Sequence, residues 1–221
     1  KEWVNPFLPY EKQLWVRDVS NTHTLLLNKF NVVAHHLICV TRTFKRQTDP
    51  LDAADLAATW EAMQAYPNGA LAYFNCGPES GASQPHKHTQ IVPLPLAEDT
   101  KGLALPFEGD PYCICTRTAY SKSVCGGFRP SARDLEQVFN TLKASFGSAA
   151  VPEEGSPESY NMVLTSSYMM LVPRSREVYG LVAVNSMGFA GSMLVRSKAE
   201  LDFIRSESPM RILAAVGIPW P

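Results

Sequence analysis

Two apolar runs of β-forming residues, Thr24 to Phe30 and Leu37 to Thr43, are separated only by the short stretch Asn31 to His36. A parallel crossover needs about a dozen residues or more, so these runs can be neighbours in a sheet only as an antiparallel pair. The same short spacing returns at Tyr160 to Thr165 and Tyr168 to Val172, which read as a hairpin around Ser166-Ser167. Ala70 to Asn75 and His86 to Pro93 are further strands, joined by a Gly/Ser-rich loop from Gly77 to Pro85. Helical spacing is confined to separate segments. Asp52 to Tyr66 places Leu56, Trp60 and Met63 on one face and stops at Pro67-Asn68-Gly69. Ser131 caps a helix ending at Gly147, with Leu135, Val138, Phe139 and Leu142 at helical spacing. Ser197-x-x-Glu200 is a capping box, and Met210 to Val216 is a last helix. The expected fold class is α+β, a mainly antiparallel β-sheet with helices packed against it.

The remaining stretches say less. Asn5-Pro6 and Leu8-Pro9 make the N-terminal stretch extended and turn-rich, and Val151 to Glu158 is a polar loop. Leu96 to Pro130 is the least readable region, with a strand expected at Tyr112 to Thr118. Leu181 to Val184 and Gly191 to Val195 flank a loop, Asn185 to Ala190.

A length of 221 residues is enough to bury a sizeable core, and the formal net charge of −1 argues against a nucleic-acid partner held by counterion release. The densest basic cluster, Arg42 to Arg46, is short and reads as a solvated strand end. No apolar run reaches membrane-spanning length, so no transmembrane helix is expected. The five cysteines are an odd number without a disulfide-framework spacing, which favours a reducing, cytoplasmic location. Cys113 and Cys115 could share one strand face as metal ligands, or be small buried hydrophobes. The chain starts at Lys1 with no signal-peptide pattern, and a processed or trimmed start is expected.

One segment is dense in functional residue types, Asn75-Cys-Gly-Pro-Glu-Ser-Gly-Ala-Ser-Gln-Pro-His-Lys-His-Thr-Gln90. Along a strand, His86, His88 and Gln90 project from one face and Lys87 and Thr89 from the other. Backbone N–H groups of the preceding loop can cradle phosphate oxygens, with Ser80, Ser83 and Gln84 adding donors. A neutral imidazole beside a phosphoryl group can attack it when its other nitrogen is held by a hydrogen bond. From spacing alone, three readings stay open: phosphate or nucleotide chemistry, a His-x-His metal site, and a structural role in a half-polar sheet.

The run resembles the histidine-triad superfamily, in the transferase branch with the signature His-x-His-x-Gln, here His86-Lys87-His88-Thr89-Gln90. Tyr73-Phe-Asn-Cys-Gly-Pro, followed by Ser80-Gly-Ala-Ser-Gln-Pro-His-Lys-His, is similar to the diadenosine tetraphosphate phosphorylases, also called ATP adenylyltransferases. The likeness extends to Asn5-Pro-Phe-Leu-Pro-Tyr10, Leu25-Leu-Leu-Asn-Lys-Phe30, Tyr160 to Arg174 and Val184-Asn-Ser-Met-Gly-Phe-Ala-Gly-Ser192. It implies a single histidine-triad-like catalytic domain over residues 1–221. Residues 1–150 are its N-terminal part with the motif, and 151–221 its C-terminal ATP-adenylyltransferase part.

The resemblance implies residue roles. His88 is the nucleophile that takes AMP, His86 orients it, and Gln90 holds the transferred phosphate. Asn75, Gly81, Ala82, Ser83 and Gln84 bind phosphates. Asn28 lies on the ribose with Lys29 nearby, and Asn185, Ser186, Met187, Gly188 and Met193 contact the nucleotide. His36 matches a superfamily histidine and is read here as a satisfied structural one. Arg174 reads either as a phosphate-stabilising arginine or as an exposed structural one. The family carries a phosphate-binding lysine in a segment upstream of the Asn-Pro-Phe motif. That motif starts here at Asn5, so a form with reduced activity is expected.

The implied reaction is cleavage of diadenosine tetraphosphate by inorganic phosphate to ADP and ATP, reversibly, through an AMP–histidine intermediate. Glutamine at the third motif position goes with transferases, and histidine there with hydrolases. A divalent cation, Mg2+ or Mn2+, would be held by the substrate's phosphates rather than by a protein metal cage. Partners would be small-molecule nucleotides, with no nucleic acid and no membrane, and the oligomeric state is left open. The alternatives are a sugar-1-phosphate nucleotidyltransferase or nucleoside-diphosphate-sugar phosphorylase of the same branch, a nucleotide-binding protein without turnover, and a metal-bound structural or redox protein using His86 and His88.

Overall fold

A computed structural model describes residues 3–96, 129–146 and 157–218. Its centre is a seven-stranded sheet in which every pairing is antiparallel. The strands are β1 (Trp15–Val19), β2 (His23–Leu27), β3 (Leu37–Thr41), β4 (Ala70–Cys76), β5 (His88–Pro93), β6 (Tyr160–Leu164) and β7 (Met169–Pro173), in the order β1-β2-β3-β5-β4-β6-β7. The short connections made β2–β3 and β6–β7 hairpins, as their lengths require. β1 is a strand that the sequence does not announce, because four of its five residues are exposed and no apolar alternation marks it.

One face of the sheet is covered by α1 (Ala53–Met63) and α2 (Ala132–Ala144). Leu25, Cys39, Phe74, Ile91, Met162, Leu164 and Leu171 meet Leu56, Ala62, Met63, Leu135, Phe139 and Leu142 there. Both helices start in full capping boxes, Asp52 with Asp55 and Ser131 with Asp134, which satisfy first-turn N–H groups. This face also takes the odd side chains of the functional motif. Lys87 Nζ donates to Asp55 Oδ2 at 2.8 Å, and Thr89 and Thr59 hydroxyls lie 2.7 Å apart.

The opposite face is covered in two separate pieces. At the β2–β3 end the N-terminal segment lays Phe7 and Tyr10 over Leu26, Ile38 and Val40. At the β4–β6–β7 end the C-terminal elements lie on Leu71, Val92, Val163, Met170 and Val172. These elements are β8 (Val178–Tyr179), β9 (Val182–Ala183), α3 (Ser186–Phe189), α4 (Lys198–Glu207) and α5 (Pro209–Val216). Register places Val40 opposite His88, Ile38 opposite Gln90 and Gln90 opposite Tyr73. The polar row His88, Gln90, Tyr73 and Asn75 therefore runs between the two apolar coverings.

Several local expectations change. The strand run ends at Leu27 rather than Phe30, because Asn28 turns the chain by accepting the Phe30 N–H at 3.0 Å. His86 lies outside β5 in an isolated bridge with Arg46. The expected loop from Asn185 to Ala190 holds the short helix α3, since Asn185 caps it by accepting from Met187 N. The helix α4 has half a capping box, because Glu200 accepts from Arg196 N instead of Ser197 N. The strand expected at 112–118, Cys113, Cys115 and the C-terminal end of the helix at 147 lie outside the described residues.

Candidate active site

His88 is 5% exposed, and its ring is ordered by chemistry that leaves one assignment. Nδ1 lies 2.8 Å from the His86 carbonyl oxygen, which only accepts, so Nδ1 carries the proton. Nε2 is then the lone-pair nitrogen. Burial pushes the His88 pKa down to about 4, so the ring is neutral and Nε2 unprotonated at physiological pH. Phe7 packs against this ring at 5.2 Å between centroids and against His86 at 5.8 Å.

The His86 ring itself is fully engaged. Its Nε2 donates to the Thr41 carbonyl at 2.9 Å, so Nδ1 accepts from Asn5 Nδ2 at 3.1 Å. Burial lowers its pKa as well. What His86 gives His88 is its main-chain carbonyl, while its ring ties the N-terminal segment to the end of β3.

The β4–β5 ladder stops at Tyr73 opposite Gln90, where continuing it would pair Asn75 with His88. A buried side chain from the loop before α1, Gln47, stands in that place. Its Oε1 accepts from His88 N at 2.8 Å, and its Nε2 donates to Asn75 O at 2.8 Å and His88 O at 3.2 Å. Gln47 thus satisfies main-chain groups on both strands while holding them apart beside His88. Nothing in the sequence points to it, since one glutamine in a polar connection has no pattern.

Asn75 is buried, and its Oδ1 accepts from Asn161 Nδ2, Ser186 N and Ser186 Oγ at 2.8, 3.0 and 2.7 Å. The amide is thereby fixed, and its Nδ2 makes no hydrogen bond among the described residues. Ser186 is fully buried and serves this network. Gly188 is packed inward, where an added Cβ would lie 2.7 Å from Val184 Cγ1, and Met193 joins the C-terminal core. Gly81 has φ +78°, and a Cβ there would lie 3.0 Å from Asn185 Cβ, so glycine lets the loop before His86 close on Asn185. Ser83 is exposed, Ala82 and Gln84 half-buried, and Gln84 Oε1 accepts from Trp3 Nε1 at 3.2 Å.

Beyond Gln90 lies a cavity of about 150 Å³ lined by Asn28, Phe30, Val33, Tyr73, Asn185 and Met187 among others. Its lining mixes amides, an imidazole and a phenol with apolar side chains. Lys29 points elsewhere and pairs with Glu11 at 2.6 Å, both half-exposed. Arg174 is 4% exposed and structural: it donates to Asn161 Oδ1, Val184 O and Val216 O. The expected choice between a phosphate ligand and an exposed arginine thus has a third answer. Among the described residues no group of three or more His, Cys, Asp or Glu could hold a metal ion.

Two family models divide the chain between them. The Ap4A phosphorylase N-terminal domain matches residues 1–109, and the ATP adenylyltransferase C-terminal domain matches residues 111–219. The chain belongs to the Ap4A phosphorylase family. Diadenosine 5',5'''-P1,P4-tetraphosphate phosphorylase 2 of Saccharomyces cerevisiae is 29% identical over 235 residues, covering 90% of this chain and 70% of the yeast protein. Protein APA1 of the same yeast is 27% identical, with the same coverage of both chains. The crystal structure of yeast Ap4A phosphorylase Apa2 superposes with a TM-score of 0.79 at 25% identity, over 98% of this chain and 82% of that one. Its complex with AMP gives 0.77 at 27% identity, over 97% and 80%. The expected α+β fold, an antiparallel sheet with helices packed against it, is thus the fold shared with Apa2. Among the described residues no helix is long and apolar enough to cross a membrane.

Proposed function

We propose that this protein is a nucleotidyltransferase that cleaves diadenosine tetraphosphate with inorganic phosphate to ADP and ATP, reversibly, through an adenylyl–His88 intermediate. The observation that carries the reading is the His88 ring, with Nδ1–H on the His86 carbonyl and an unprotonated Nε2, two residues before Gln90 on the same strand. One yeast relative is a diadenosine tetraphosphate phosphorylase by name, and one structure of yeast Ap4A phosphorylase Apa2 is a complex with AMP.

In the first step Nε2 attacks the α-phosphorus. The P–N bond forms as the P–O bond to the rest of the substrate breaks, and the electron pair leaves with the oxygen of ATP. The ring gains positive charge, which the His86 carbonyl stabilises through Nδ1–H. In the second step an oxygen of inorganic phosphate attacks the same phosphorus, the P–N bond breaks, and ADP leaves with His88 neutral again. Charge developing on the phosphoryl oxygens would meet Gln90 Nε2, Asn75 Nδ2 and the N–H groups of residues 81–84. A divalent cation, Mg2+ or Mn2+, would arrive on the substrate's phosphates and neutralise part of their charge. The amides, hydroxyls and imidazoles around His88 suit phosphate oxygens better than a hard cation. The cavity beyond Gln90 would take the AMP ribose at Asn28 and the base against Phe30, Val33 and Met187.

The test is a reaction of protein, diadenosine tetraphosphate, phosphate and a magnesium or manganese salt, resolved for products. Equal ADP and ATP, formed only with phosphate, are expected, and radiolabelled AMP should be trapped on wild-type protein but not on His88→Asn. AMP and ATP without phosphate would make it a hydrolase, and full activity in His88→Asn would remove the nucleophile.

A further inference from the structure

The two ends of a glutamine side chain have the same shape and opposite hydrogen-bonding character, so its partners decide which end a substrate meets. For Gln90 the decision can be followed back to a main-chain amide. Phe30 N–H can only donate, and it does so to Asn28 Oδ1 at 3.0 Å. Asn28 therefore turns its amino group to His36, where Nδ2 lies 3.1 Å from Nδ1. That nitrogen must accept, so the proton of the neutral ring is on Nε2. Nε2 lies 3.3 Å from the Tyr73 hydroxyl and donates to it, and Tyr73 in turn donates to Gln90 Oε1 at 2.9 Å. His36 and Tyr73 are 8% and 4% exposed where they line the cavity beyond Gln90. Burial also lowers the His36 pKa to about 4, with only partial compensation from Gln90, which keeps the ring neutral.

We propose that His36 and Tyr73 are positioning residues for adenylyl transfer, fixing the Gln90 amide with Oε1 held inward and Nε2 presented as a donor to the transferred phosphoryl group. A freely turning glutamine would present its oxygen part of the time, and that oxygen repels a phosphate. Three side chains in series remove that orientation. His36 is thus more than a satisfied structural histidine, and Tyr73 more than a member of the sheet. The proposal rests on the assignment of His88 and Gln90 given above.

Tyr73→Phe removes one hydroxyl and keeps the packing, so it tests the chain with little risk to the fold. With diadenosine tetraphosphate and phosphate it should lower kcat by about 10-fold or more and leave KM within about 2-fold, because the lost donor acts on charge that develops in the transition state. Gln90→Leu should lower kcat at least as much, and the double variant should be no slower than Gln90→Leu alone. His36→Gln, whose amide NH2 can take the place of the Nε2–H donor, should retain more kcat than His36→Leu at equal melting temperature. Tyr73→Phe with unchanged kcat while Gln90→Leu is slow would overturn the proposal, as would losses that simply multiply in the double variant. A Gln90→Leu enzyme with the wild-type rate would instead remove the role of Gln90 itself, and the orienting chain with it.

Discussion

Gln47 is the residue whose replacement most directly tests how the site is held open. Gln47→Met keeps the length and nearly the volume of the side chain but removes every polar atom. Three hydrogen bonds disappear, from Nε2 to Asn75 O and His88 O and from His88 N to Oε1. The main-chain groups of two strands are then left against a thioether in a buried place. Each such group costs about 1–3 kcal/mol, so with the His88 N–H and Asn75 carbonyl both orphaned the loss is about 2–6 kcal/mol. For a chain of this size that is a fall of roughly 4–24 °C in melting temperature, at about 2–4 °C per kcal/mol. Gln47→Glu separates the two ends of the amide. It keeps an acceptor for His88 N but places carboxylate oxygen against two carbonyls, so it should be less stable than Gln47→Met at pH 8 and recover relative to it on acidification, when the protonated acid can donate. Thermal unfolding across pH, together with single-turnover labelling of His88, reads both effects. A Gln47→Met protein with the wild-type melting temperature and labelling rate would refute the argument that this side chain holds β4 and β5 apart.

Other perturbations probe the rest of the framework. His36 and His88 have pKa values held near 4 by burial, against an ordinary 6.5. The unfolded chain binds those protons first, so stability is full above about pH 6.5 and falls toward pH 4, by up to about 1.4 kcal/mol per pH unit for each histidine. Urea midpoints that stay level from pH 7 to 5 would contradict this. Lys87→Met leaves Asp55 buried with His23 as its remaining side-chain partner, a loss of about 3–5 kcal/mol read by denaturant unfolding. Arg174→Met should lower the melting temperature with the KM for phosphate unchanged, because its guanidinium is spent on Asn161 and main-chain carbonyls. A rise in that KM alone, at wild-type stability, would restore the phosphate-ligand reading.

The sequence made the sheet legible wherever burial imposed a pattern. Ala70 to Asn75, within the fully buried β4, and the two hairpins stood out as apolar runs of strand length. β1 did not, because an exposed edge strand has no inward face to alternate with, and α3 did not, because its four residues are organised by the Asn185 cap rather than by periodicity. The site divides the same way. His86, His88 and Gln90 follow from period-2 alternation within one contiguous motif. Gln47, Tyr73 and Asn161 act through hydrogen bonds to residues distant in sequence, and such contacts leave no local spacing to read. Arg174 shows the converse, a charged residue in a suggestive place whose partners lie on elements that only the fold assembles.

The two coverings of the sheet explain why one chain needs both of its halves for a small site. An antiparallel sheet with one face on helices would leave the other face to water, and an imidazole there would titrate near its ordinary pKa. Here Phe7 closes over His88 from the N-terminal segment, and the C-terminal elements approach from the far side until Ser186 reaches Asn75. The gap that remains is narrow enough to keep His88 neutral, and it is lined by polar side chains whose inward ends are already bonded. Asn75 has its oxygen occupied by Asn161 and Ser186, and Gln90 has its oxygen occupied by Tyr73. Among the described residues both amides are left with their nitrogens as the unused ends. Two separate networks, one rooted in the C-terminal half and one in the turn after β2, thus converge on one electrostatic result, which in the proposed reaction would set donors toward the phosphoryl oxygens and a lone pair toward the phosphorus.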